Sequence, residues 1–189
     1  MTNKSVVWKF TAGSLLIGLF LGLKLLVSAP KNPAMELIPL HSREPFPIDF
    51  TLPQLQGGNI RLTRLYGKVI LLNFWATWCY PCRIELPSMQ AVFQHYQSAS
   101  FLVLAVASDG RGKETVSPFA NQLDLTFPIL LDPQDVVGRR LQIPGIPTSY
   151  VLDKLGRIAG AEVGARNWNS PSMHRLIDKL LAENNPDAS

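Results

Sequence analysis

The sequence predicts an α/β domain with a mixed central sheet flanked by helices, on three observations. Val69–Phe74 and Phe101–Ala107 are nearly unbroken apolar runs of strand length, rich in branched side chains. Such runs belong to strands covered on both faces. A helix-length segment, about Pro81–Gln97, separates them, and a strand–helix–strand unit implies parallel pairing with a right-handed crossover. Pro147–Leu152 and Ile158–Val163, joined by Asp153-Lys154-Leu155-Gly156-Arg157, read as a closing hairpin. At 189 residues and 47% hydrophobic composition, the chain has room for one globular domain plus an appendage.

The appendage comes first, over residues 1–29. Val6–Ala29 is apolar except for Lys9 and Lys24, and Phe10–Leu23 carries no charge. A membrane span needs about 20 apolar residues, a length reached if Lys24 extends up to the headgroups. An uncleaved single-span anchor is expected. The rival is a cleavable signal peptide, with Lys4 and Lys9 ahead of the apolar run and Val27-Ser28-Ala29 as a small-x-small site, but Pro30 would then be the first mature residue. Either reading sends the rest of the chain out of the cytoplasm, and no other stretch is long and apolar enough to span. Pro30, Pro33, Pro39, Pro45 and Pro47 crowd a short interval. Residues 30–45 therefore read as an extended linker, and residues 46–189 as the domain.

Residues 1–45 hold five Lys/Arg against two Asp/Glu, and residues 46–189 thirteen against twelve. The net charge of +4 thus belongs mainly to the anchor and linker, which argues against a nucleic-acid partner.

The domain opens with Phe46–Leu52 and Ile60–Leu62 around Gly57-Gly58-Asn59, a hairpin of short strands. After the central strand, the helix of Pro81–Gln97 carries Pro87 in its interior, where it should bend the axis. Asp109-Gly110-Arg111-Gly112 is a turn, and a helix runs from near Glu114 to Leu123. The glycines are too few and too irregular for a phosphate loop. Phe127–Leu131 and Asp135–Leu141 add a strand and a helix. The last helix has Ser170 as N-cap and Pro171 at its first position. Met173, Leu176, Ile177, Leu180 and Leu181 form one face that should pack on the sheet rather than await a partner. Asn184–Ser189 should be frayed.

Cys79 and Cys82, the only cysteines, follow the central strand where a helix should begin. A helix amino terminus offers unpaired N–H groups and the positive end of the dipole, so a thiol there loses its proton more easily. Cys79 is the expected attacking sulfur. Cys82 lies about one turn deeper on the same face, within reach of a disulfide with Cys79, and is the expected resolving sulfur. Pro81 suits the first helical turn. Other chemistries fit less well. A structural zinc site needs four Cys or His ligands, and His41, His95 and His174 are scattered. Haem attachment needs His directly after the second cysteine, where Arg83 stands. A purely structural staple would close a loop worth only about 2 kcal/mol. A peroxidatic cysteine would have Pro and Thr where Leu72 and Ala76 stand.

Asn-Phe-Trp-Ala-Thr-Trp-Cys-x-Pro-Cys-Arg-x-Glu-x-Pro, at Asn73 to Pro87, resembles the active-site signature of thioredoxin-fold proteins of the TlpA and ResA type, membrane-anchored bacterial thiol-disulfide oxidoreductases. The likeness covers roughly Phe46 to Leu181. It implies a thioredoxin fold with an N-terminal β-hairpin, and it explains Phe127–Leu141 as the central βα insertion of TlpA-type proteins. It also implies a cis proline facing the disulfide, and Gly145-Ile146-Pro147-Thr148 matches the family's Gly-x-Pro-Thr. Pro87 matches its kink proline. Thioredoxin itself has a buried aspartate where Asn73 stands, a departure that removes support for an aspartate-based proton relay. In the ResA type, a glutamate three residues after the second cysteine influences cysteine protonation, and Glu85 holds that place.

The expected machinery is therefore Cys79, Cys82 and Glu85, with Glu85 raising the pKa of the resolving thiol or accepting its proton. Trp78, Tyr80, Pro81, Ile146 and Pro147 form the expected substrate contact, the Ile146 backbone being free to pair with a substrate chain. Trp75 should be packing only. The expected reaction is dithiol-disulfide exchange without metal or organic cofactor. The resemblance implies a domain facing the periplasm or cell exterior, tethered to the bacterial cytoplasmic membrane. It further implies protein disulfide substrates, apocytochrome c among them, and a transmembrane thiol donor of the DsbD or CcdA type. A disulfide-forming oxidase and a non-catalytic binding module are the alternatives left open.

Overall fold

The computed structural model describes residues 35–183. The expected membrane span and cleavage site lie outside the described residues. Among the described residues no helix is long and apolar enough to cross a membrane.

Strand β3 (Val69–Trp75) lies at the centre of a five-stranded sheet. Parallel to it runs β4 (Phe101–Ala107), with β5 (Ile129–Leu131) at that edge. On its other side β6 (Thr148–Leu152) and β7 (Ile158–Val163) run antiparallel in order. All seven residues of β3 are buried, as the apolar run requires. Val69, Leu71 and Trp75 face a core shared with helices α1 (Tyr80–His95), α2 (Lys113–Gln122) and α4 (Pro171–Ala182). Ile70, Leu72 and Phe74 face a second core with Val137 of the short helix α3 (Val136–Arg140) and with Phe46, Phe50 and Leu62. Removing one such side chain, as in Leu71→Ala, costs about 2–5 kcal/mol.

Several expected boundaries are corrected. The amino-terminal hairpin is shorter: β1 (Thr51–Pro53) pairs antiparallel with β2 (Asn59–Arg61), and Leu62 begins a 3₁₀ turn that ends at Leu65. Gly57 and Gly58 turn the hairpin with positive φ, a conformation glycine adopts without penalty. Phe46 and Phe50 are buried without belonging to a strand. The inserted strand β5 extends the main sheet, parallel to β4. Helix α3 takes its cap from Asp132, whose carboxylate accepts from Val136 N and Val137 N at 2.9 and 2.8 Å. Ser170 sits at the N-cap of α4, but its hydroxyl pairs with Ser172 rather than capping the helix.

The described part of the expected linker is also packed on the domain. Met35 is buried against Gly160, Ile38 N donates to Ala159 O at 2.9 Å, and Ile158 N donates to Glu44 O at 2.9 Å. Arg43, with its side chain 1% exposed, meets Asp153 at 3.2 Å and Glu183 at 2.6 Å. The segment holds only a 3₁₀ turn at Leu40–Ser42 and an isolated antiparallel bridge from Pro45 to Arg157, yet its Met and Arg side chains find buried partners. A boundary at residue 46 therefore falls too late.

Candidate active site

Strand β3 ends at Trp75, and four residues later the chain enters α1. Cys79 is the N-cap residue, with its sulfur accepting from Cys82 N at 3.3 Å, and Pro81 lies in the first turn, where its missing N–H costs nothing. Cys79 and Cys82 are joined as a disulfide. Cys79 is 5% exposed and Cys82 fully buried, so a partner can reach only the first sulfur. That asymmetry leaves Cys79 the more accessible of the two residues. In the dithiol state the amide of Cys82 and the positive end of α1 both favour a Cys79 thiolate.

The loop ahead of the pair is held by a residue legible in the sequence only as the start of a turn. Asp109, buried just beyond β4, accepts from Thr77 N at 3.1 Å and from the Thr77 hydroxyl. An aspartate two residues past a buried strand was its one visible signal. On the other side, Ile146–Pro147 is a cis peptide and the Ile146 carbonyl oxygen lies 3.6 Å from the Cys79 sulfur. That sulfur carries no proton while it is oxidised or ionised, so the contact becomes a hydrogen bond only when Cys79 is a protonated thiol. Trp78 and Tyr80 are 70% and 72% exposed beside the pair, and Ile84 of α1 is 59% exposed. These three make an apolar apron around an almost fully covered disulfide. Trp75, by contrast, is fully buried with its ring 5.7 Å from Phe119.

Glu85 follows Cys82 by one helical turn and is 2% exposed. Its Oε1 accepts from Asn73 Nδ2 at 2.9 Å, and its Oε2 from Arg166 N at 3.1 Å and Trp168 Nε1 at 2.9 Å. Burial pushes its pKa up from 4.5 to about 7; the Trp168, Arg166 and Asn73 donors restrain the rise, and the nearby charge of Glu162 adds to it. A carboxyl poised near neutrality can give or take a proton at ordinary pH. Asn73 Nδ2 also donates to Ser149 Oγ at 2.8 Å, across the β3–β6 pairing. An amide thus occupies the place of an aspartate and joins the buried acid beside it. Asn73 was signalled as the one polar residue in an apolar strand, whereas Arg166 and Trp168, 81 and 83 residues from Glu85, had no local signal. Among the described residues no cluster of three or more His, Cys, Asp or Glu side chains could hold a metal ion.

Residues 43–161 match the AhpC/TSA family. Over 126 residues the chain is 42% identical to the thiol-disulfide oxidoreductase ResA of Geobacillus thermodenitrificans, covering 67% of this chain and 72% of that one. It is 41% identical over 118 residues to the thioredoxin-like protein YneN of Bacillus subtilis, covering 61% and 68%. A solved thiol:disulfide interchange protein of the thioredoxin family from Chlorobium tepidum superposes with a TM-score of 0.61 at 27% identity, over 74% of this chain and 98% of that one. StoA from Bacillus subtilis superposes with a TM-score of 0.58 at 28% identity, over 71% and 98%.

Proposed function

We propose that this chain, which belongs to the AhpC/TSA family and is a thiol-disulfide oxidoreductase of the ResA type, works as a reductant of protein disulfides outside the cytoplasm. The observation that carries the reading is the disulfide at the amino end of α1, with one sulfur reachable, one buried, and a near-neutral carboxyl one turn deeper.

In the reducing direction the Cys79 thiolate attacks one sulfur of a substrate disulfide. A Cys79–substrate bond forms, and the other substrate sulfur leaves as a thiolate. Cys82 then attacks the Cys79 sulfur and expels the second substrate thiolate, closing Cys79–Cys82. Two electrons have passed to the substrate, which takes up two protons as two thiols. Cys82 must lose its proton during that second step, and Glu85 is the group proposed to receive it or to hold it until attack. Trp78, Tyr80, Pro81 and the Ile146–Pro147 backbone are the proposed contact for the substrate chain. The exposed side chains of Trp78 and Tyr80 support it.

The cycle needs a two-electron thiol donor to reopen the disulfide. Beyond the cytoplasm that donor is proposed to be a membrane protein of the DsbD or CcdA type, and the substrate an apocytochrome c whose haem-attachment cysteines have oxidised. The charge-free run Phe10–Leu23 supports tethering to the bacterial cytoplasmic membrane. Cys82→Ser in the full-length protein, expressed in membranes, should accumulate mixed disulfides through Cys79. Recovery of no Cys79-linked species would contradict the reading.

A further inference from the structure

Two clefts of different chemistry flank the amino-terminal half of α1. On one side Ile84, Pro87, Ser88, Ala165, Arg166 and Asn167 line a mostly apolar surface. On the other, Thr77, Arg83, Thr115, Pro118, Phe119 and Gln122 line an open cleft of about 300 Å³. The exchange chemistry makes no use of the second.

Arg83 dominates that cleft. Its amide donates to the Cys79 carbonyl at 3.2 Å, which fixes it one helical turn beyond the attacking sulfur. Its guanidinium lies over the ring of Phe119, 5.5 Å from the centroid. Phe119 is itself seated on the fully buried Trp75. The cation therefore rests on a platform set by helix packing, and a long side chain held this way loses less freedom when it binds. The guanidinium makes no hydrogen bond to any described residue, so its N–H groups remain available. No carboxylate among the described residues lies within ion-pair distance of Arg83. Asp109 is committed to Thr77, and Glu114 is paired with Arg111. The positive end of α1 adds to the same local potential.

A planar donor fork on a fixed platform matches a carboxylate, which offers two coplanar acceptors. We infer that the Arg83–Phe119 cleft receives an aspartate or glutamate of the substrate polypeptide close to its disulfide, so that acid-flanked disulfides are preferred substrates. The inference rests on the thiol-disulfide exchange proposed above and adds a direction of substrate selection to it.

Three synthetic peptides test it, each closing the same small disulfide loop and differing only in whether Glu, Gln or Lys flanks one cysteine. Their reduction by the dithiol form of the full-length protein is measured, and each rate is divided by that of the same peptide with free dithiothreitol, which removes intrinsic reactivity. The expected order is Glu, then Gln, then Lys, with about a five-fold spread from first to last for a partly exposed pair. The spread should collapse in 1 M salt, where the Debye length is about 3 Å. Arg83→Glu should reverse the order and Arg83→Gln should flatten it. Reduction of all three peptides at equal corrected rates, or the same order in Arg83→Gln, would overturn the inference and leave the oxidoreductase intact. Failure to reduce any peptide would overturn both.

Discussion

Glu85 and Asp153 are equally hidden, 2% and 3% exposed, yet they are built for opposite purposes. Glu85 lies beneath the disulfide and is met only by uncharged donors, from an asparagine, an indole and a backbone amide. Asp153 follows β6 at the end of the sheet away from the disulfide, and it is met by two guanidiniums. Arg43 and Arg157 approach its Oδ2 at 3.2 and 2.9 Å, while Leu155 N and Arg157 N each donate to Oδ1 at 3.0 Å. Burial penalises charge at both places, and the partners decide how the penalty is met. Cations at Asp153 give a fixed latch that holds the amino-terminal segment to the domain. Neutral donors at Glu85 leave the proton itself as the available counter-charge, which suits the proton-transfer role proposed for it.

Breaking the latch should have the largest effect. Arg43→Met leaves Asp153 and Glu183 without their shared cation, and loss of one partner of a buried pair costs about 3–5 kcal/mol. Urea denaturation of the full-length protein measures it. The thiol-exchange rate per folded molecule should stay as in wild type, since Arg43 is remote from the disulfide.

The next effect sharpens the other half of the comparison. Folded Glu85 keeps its proton up to about pH 7 against 4.5 for the free group. The folded state therefore binds more protons between those values, and stability falls as pH rises through that window and levels off above it. At about 1.4 kcal/mol per unit the loss amounts to about 3 kcal/mol. Glu85→Gln should abolish this part of the pH dependence, so that the variant gains on wild type from pH 4.5 to 7. Rotation of the Asn73 amide, whose Oδ1 has no partner in the wild type, would accommodate the new NH₂ group. A wild-type-minus-variant difference that is flat with pH would mean that Glu85 is charged throughout.

A smaller change is expected from Trp168→Phe. It removes a donor to Oε2 that favours the charged form, so the fall in stability should move to higher pH, by under one unit, with about 1 kcal/mol lost overall. The smallest effect belongs to the exposed pair Arg111–Glu114, whose side chains are 71% and 72% exposed. Arg111→Ala should change stability by less than about 0.5 kcal/mol, which sets the baseline for the buried pairs.

How far the sequence revealed all this depends on the range over which each feature is encoded. β3 and β4 were legible because every residue of a doubly covered strand is apolar, a property of seven consecutive positions. Cys79 and Cys82 were legible because their three-residue spacing at a helix start places them on one face, and Glu85 only through the resemblance to the ResA type. The hairpin was overextended because Phe46 and Phe50 have the apolar pattern of a strand, although they enter the core from irregular chain. Arg43 gave no sign of itself, since one arginine among prolines carries no period and its partners lie 110 and 140 residues away. The same holds for Trp168 and Arg166 over Glu85. The reacting atoms are local in sequence; the groups that tune them come from the far end of the chain.

The reduction potential of the Cys79–Cys82 pair in the full-length protein, equilibrated against defined thiol-disulfide buffers, tests the reductant assignment most directly. A value near that of thioredoxin, about −270 mV, is expected. A value near about −120 mV, that of a strong disulfide-forming oxidant, would contradict it and reverse the direction of electron flow.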